Sequence, residues 1–120
     1  MKVGVSALGP TIDDRVDERF GRAAYLLVVD ESSLEVETLD NAVNRNALQG
    51  AGIGAAEAVA TRGVQAVITG HLGPKAYKAL QAAGIEGFEG TRMTVRDAVI
   101  AFTARTLASL GEGEAHTGME

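Results

Sequence analysis

The run Ala23-Ala24-Tyr25-Leu26-Leu27-Val28-Val29, closed by Asp30, constrains the fold more than any other stretch of the chain. A strand that is apolar at nearly every position has no face to offer to water, so it must lie inside a sheet covered on both sides. Two further runs have the same character, one starting at Val3 within Lys2-Val3-Gly4-Val5-Ser6-Ala7-Leu8 and one from Val64 to Thr69. Leu34-Glu35-Val36-Glu37-Thr38-Leu39 instead alternates apolar with acidic or polar residues, and Ile85 to Glu89 is weaker still. Those two suit sheet edges, where charge discourages pairing with other chains. The short Glu31-Ser32-Ser33 connection makes the second and third strands an antiparallel hairpin.

Helical spacing fills the intervals. One helix runs from Gly50 to about Arg62, with Ala55, Ala56, Val59 and Ala60 inward and Gly63 as its stop. A second spans Pro74 to Ala83 and buries Ala76, Tyr77, Leu80 and Ala83 before Gly84. Thr94 opens a last helix, through Val95, Val99 and Phe102, to about Leu110. Between Asp40 and Gln49 the chain reads as an asparagine-rich loop. Right-handed crossovers then bring the fourth and fifth strands in parallel to the first. The arrangement that satisfies every pattern is a three-layer α/β fold on a five-stranded mixed sheet, order 3-2-1-4-5, with strand 2 antiparallel to the rest. A chain of 120 residues supports one such core, so residues 1–110 are expected to form a single domain and residues 111–120 a disordered polar tail.

In an open α/β sheet a ligand sits beyond the carboxyl ends of the strands, where the winding reverses. Here that point lies between the loop after strand 1, Ser6 to Pro10 with Gly9, and the loop after strand 4, Gly70-His71-Leu72-Gly73-Pro74-Lys75. Gly70 and Gly73 present no Cβ, Pro74 suits the first helical position, and the free amides of that helix start favour an anion. Lys75 and Lys78 add charge on one helix face. His71 is the imidazole placed in the turn itself; the alternative reading is a plain strand-to-helix connection carrying a surface histidine.

Several function classes are excluded or weakened. A net charge of −5 and the lack of a basic stripe with interleaved aromatics argue against nucleic acid. No secretory apolar segment follows Met1-Lys2 and no long apolar run occurs, so no membrane association and a cytoplasmic location are expected. The absence of cysteine excludes disulfides and thiolate-ligated zinc or iron–sulfur centres. Strand 1 carries Ser6 and no acid, so the magnesium carboxylates of ribonuclease-H-type chemistry are missing, and no serine–histidine–acid set can be placed together. Gly50-x-Gly52-x-x-Ala55 imitates a dinucleotide fingerprint but follows a polar loop, and reads better as glycines for close packing of helix on sheet. No catalytic machinery is found, and the chain is read as a non-enzyme.

Arg19-Phe20-Gly21-Arg22-Ala23, Gly50-Ala51-Gly52-Ile53, Gly70-His71-Leu72-Gly73-Pro74-Lys75-Ala76 and Ala83-Gly84-Ile85 follow strand 1 in an order that resembles the dinitrogenase iron–molybdenum cofactor biosynthesis family, over about residues 1 to 105. The resemblance implies a ribonuclease-H-like fold and non-enzymatic carriage of a metal–sulfur cluster or its precursor. Where family members ligate metal through cysteine, this chain has nothing to match. The implied cargo is therefore an anionic, molybdenum-containing metal–sulfur cluster held non-covalently, with copper as a candidate second metal. Backbone amides, the cations Arg22, Arg45 and Lys75, and apolar contact from Phe20 or Leu72 are the expected means. His71 would donate a hydrogen bond or, when neutral, ligate copper. Arg19 and Arg22 are equally placed to pair with Asp13, Asp17 or Glu18. The competing class is a regulatory or interaction module of the same fold with no metal cargo, and an unidentified protein partner is expected in either case.

Overall fold

The computed structural model describes residues 1–111. The elements run β1 (Lys2–Ala7), β2 (Tyr25–Asp30), β3 (Val36–Asp40), α1 (Ala42–Arg45), α2 (Ala51–Ala60), β4 (Ala66–Thr69), α3 (Pro74–Ala82), β5 (Glu86–Glu89) and α4 (Val95–Thr103). The sheet order is β3-β2-β1-β4-β5. β2 is antiparallel to both neighbours, whereas β1, β4 and β5 are parallel. This is the topology that the apolar patterns require, with Ala24–Val29 inside and the alternating strand at an edge.

Pleating sends successive side chains of the central strands to opposite faces. Leu26, Val28 and Val67 meet α2 and α3 through Ala55, Val59, Ala76 and Leu80. Val3, Val5, Leu27, Val29 and Ile68 meet α4 through Val95, Ala98 and Val99. Each such leucine, isoleucine or valine contributes about 1.5–3 kcal/mol on leaving water, so two separate apolar layers hold the sheet between them.

Four local expectations need correction. The last helix ends at Thr103 rather than near Leu110. Arg105 takes the left-handed conformation at φ 63, and residues 106–110 turn back along β5, where Ala108 accepts from the Glu89 amide and the Leu110 amide donates to Gly87, both at 2.9 Å. β5 is therefore not a bare edge. The stretch from Asp40 to Gln49 contains the single turn α1. β3 begins at Val36 because Leu34, at φ 64, belongs to the turn, whose Ser32 and Ser33 amides donate to the Asp30 carboxylate. In the charged stretch from Thr11 to Phe20, Val16, Asp17 and Phe20 are buried. The tail expected over residues 111–120 lies, from residue 112 onward, outside the described residues.

Candidate functional site

The winding reversal between β1 and β4 is filled by the chain itself. Val16 bridges Ala7, and the Asp17 amide donates to the Ser6 carbonyl at 2.8 Å. Ser6 Oγ returns a hydrogen bond to the Asp17 carbonyl at 2.6 Å and lies 2.7 Å from Thr69 Oγ1, so the two strand-end hydroxyls anchor the insert. Arg19 then pairs with His71 as a short parallel bridge. Asp17, 3% exposed, holds Arg19 Nε at 3.1 Å and Nη2 at 3.0 Å. That fork fixes the guanidinium, and hydrogen bonding to the carboxylate pushes the Arg19 pKa further up, so its charge is permanent.

Displaced from the reversal by this insert, an open groove of about 480 Å³ lies between the Arg19–Arg22 loop, the start of α2 and the start of α3. Two helix N-termini converge on it. A Cβ on Gly52 would meet the Ala76 Cβ at 2.8 Å, so the glycine permits the two helices to touch at their first turns. Their N-caps are Gly50 and Gly73, and neither start receives a side-chain cap, unlike α4, where Thr94 accepts from the Asp97 amide. Amides and dipoles there are available to an anion.

His71, Gly73 and Lys75 line the groove with Phe20 and Arg22. His71 and Lys75 are exposed, and among the described residues neither side chain makes a hydrogen bond or ion pair. No atom stands within 4 Å of a Cβ built on Gly73, so the space before that cap is open. Phe20 reaches the groove from a buried position. Arg22 is at the rim, but its Nη1 donates to the carbonyls of Arg45 (2.8 Å) and Ala47 (2.6 Å), tying the loop before α2 to the groove wall. Arg45 itself is exposed and outside the lining.

Three further residues expected at the site lie outside the groove lining. Leu72 is 1% exposed and packs in the α2–α3 layer, against β5 at Gly87, outside the groove lining. Gly70 is small because a Cβ would stand 2.7 Å from that of Glu18, a packing requirement of the insert. Gly9 packs on the Asp14 carboxylate, away from the groove. Arg19, Gly21, Ala51 and Gly52 are lining residues that the sequence reading did not assign. Only Arg-Phe-Gly and the Gly50–Gly52 pair signalled them, and the latter read as helix-on-sheet packing whereas Gly52 serves helix-on-helix contact.

The donor set can hold an anion by amides, cations and one imidazole, with apolar walls beside them. It offers no multidentate metal site: among the described residues no three His, Cys, Asp or Glu gather. Nor, among them, is any helix long and apolar enough to cross a membrane.

A family model described as dinitrogenase iron-molybdenum cofactor matches residues 1–105. The apo form of the orange protein from Desulfovibrio gigas is 41% identical, with a TM-score of 0.87 over 92% of each chain. A candidate NifB protein from Thermotoga is 28% identical, with a TM-score of 0.78 over 91% of this chain and 92% of its own. An uncharacterized protein of Methanocaldococcus jannaschii is 28% identical over 106 residues, covering 85% of this chain and 89% of that protein.

Proposed function

This chain belongs to the dinitrogenase iron-molybdenum cofactor family, and from that premise we propose that it is a non-enzymatic carrier of an anionic, molybdenum-containing metal–sulfur cluster or its precursor, held non-covalently in the groove. The observation that carries the reading is the convergence of two uncapped helix starts on one open groove beside His71, Lys75 and a locked Arg19. With no cysteine in the chain, thiolate ligation is not open to it. A thiometallate is a polyanion with soft sulfur edges. Amides and cations answer its charge, and Phe20, Ala51 and Ala76 answer its edges. Copper enters the proposal through His71, an imidazole free to act as a single soft-metal ligand. A cytoplasmic location belongs to the same proposal.

The second reading, an interaction module without metal, draws on the groove's surroundings. Val43 is 86% and Leu48 99% exposed, on the loop that Arg22 ties to the rim. Aliphatic side chains so placed favour contact with another protein. In a carrier the same loop would meet the protein that supplies or receives the cargo.

The test is to mix apo-protein with tetrathiomolybdate and copper, desalt, and record the visible spectrum. A chromophore retained by the protein is expected. His71→Ala should change folding stability by no more than about 0.5 kcal/mol, as exposed substitutions do, while reducing retention about tenfold, the equivalent of about 1.4 kcal/mol. Lys75→Ala should weaken retention less. A folded wild-type protein that retains no colour would leave the interaction reading in possession.

A further inference from the structure

The insert that fills the winding reversal has a second side. Across it from the groove lies another cavity, of about 410 Å³, walled by Arg15, Arg19 and Arg92, with Leu8 and Glu18 beside them. We propose that this cavity is a separate anion site, taking a tetrahedral oxyanion of the phosphate, sulfate or molybdate class between Arg15 and Arg92.

Four observations support it. The two arginines come from segments 77 residues apart and are set side by side by backbone pairing: Arg15 bridges Thr94, and the Val16 amide donates to the Met93 carbonyl at 2.9 Å. The backbones that carry the two side chains are thus held together before any ligand arrives, so binding has to order only the side chains themselves. Arg15 Nη1 lies 3.4 Å from the Arg92 carbonyl, which steers its guanidinium toward the Arg92 turn. Arg92 sits at φ 68, a left-handed conformation that favours glycine, yet an arginine occupies it.

The charge count is the fourth. In a chain of net charge −5, Arg19, Arg62 and Arg96 each find a carboxylate. Among the described residues Arg15 and Arg92 find none. Asp17, which also borders the cavity, is engaged by Arg19. Glu18 remains as a single opposing charge against two guanidinium groups that have no carboxylate partner among the described residues. Paired guanidinium forks are suited to oxygens of a tetrahedral anion. Arg19 borders both cavities, its guanidinium held on Asp17. The proposal stands whether or not the groove carries a cluster.

Phosphate, sulfate and molybdate, each added alone at constant ionic strength, would be followed by backbone amide and arginine Nε–H shifts of the full chain. Saturable shifts at Leu8, Arg15 and Arg92, in the millimolar range or tighter, are expected, and the anion giving the tightest saturation names the class member. Arg92→Gly is the informative variant, because glycine suits the backbone there while the guanidinium is lost. It should fold at least as well as wild type and weaken binding about tenfold or more. Arg15→Gln should weaken it similarly, and His71→Ala should not. Shifts that never saturate, that survive Arg92→Gly, or that centre on His71 and Lys75 would overturn the proposal.

Discussion

A Cβ built on Gly21 would stand 2.5 Å from the Gly52 nitrogen and 2.7 Å from the Ala51 carbonyl carbon, both backbone atoms of the first turn of α2. Neither can swing away as a flexible side chain would. Gly21→Ala must therefore push the Arg19–Arg22 loop off the helix start, and such overpacking costs typically about 1–3 kcal/mol. The same movement would displace Arg22 from the Arg45 and Ala47 carbonyls that it ties together. Urea unfolding should show the loss of stability, and cargo retention per folded molecule should fall as well. Unchanged retention in the folded variant would mean that the loop does not shape the site. His71, by contrast, is exposed and without a side-chain partner among the described residues, so its replacement separates site from fold.

The helix ends show what can and cannot be read along the chain. α2, α3 and α4 close in the same way, the backbone folding over so that an amide reaches back five residues: Val64 to Val59, Ile85 to Leu80, and Thr106 to Ala101. At the first two the left-handed position holds Gly63 and Gly84, at φ 77 and 75. At the third it holds Arg105, at φ 63. A non-glycine residue there costs on the order of 1 kcal/mol, so Arg105→Gly is expected to raise unfolding stability by about 0.5–1 kcal/mol, read as a higher urea midpoint. No gain would mean that Arg105 makes up the cost through its place beside Phe88 and Phe102. The same contrast explains the sequence reading. Glycine announced two helix ends correctly; with arginine in that role and Leu107 and Leu110 continuing the apolar spacing, the third end was invisible. The strand order was legible because burial on both faces leaves a mark on every residue of a strand. Local parts of the site were legible too, Gly73-Pro74-Lys75 and His71 above all. The insert at the winding reversal was not, because Asp17 with Ser6, and Arg19 with His71, are tertiary contacts with no local periodicity.

Across the whole molecule, charge is distributed against its total. The chain carries −5, and β3 presents Glu37 and Asp40 at its edge of the sheet. Arg19, Arg22, His71 and Lys75 gather at the groove, beyond the carboxyl end of β4, with Arg15 and Arg92 on the other side of the insert. An anionic cargo would therefore be attracted locally by a protein that repels it at long range, with salt acting on both terms. The local term dominates once cargo sits within a few ångströms of the cations. Because the groove is open to water, screening reaches it: the Debye length shortens from about 10 Å at 0.1 M to about 3 Å at 1 M. If charge and amides hold the cluster, retention of tetrathiomolybdate and copper should decline steadily as sodium chloride rises over that range, and Lys75→Ala should flatten the slope by removing one screened partner. His71→Ala should lower retention at every salt concentration without changing the slope, since a hydrogen bond or a bond to copper is not screened in this way. Retention indifferent to molar salt in the wild type, and abolished by His71→Ala, would reverse the assignment: the imidazole would then be the principal anchor, and the cations its surroundings.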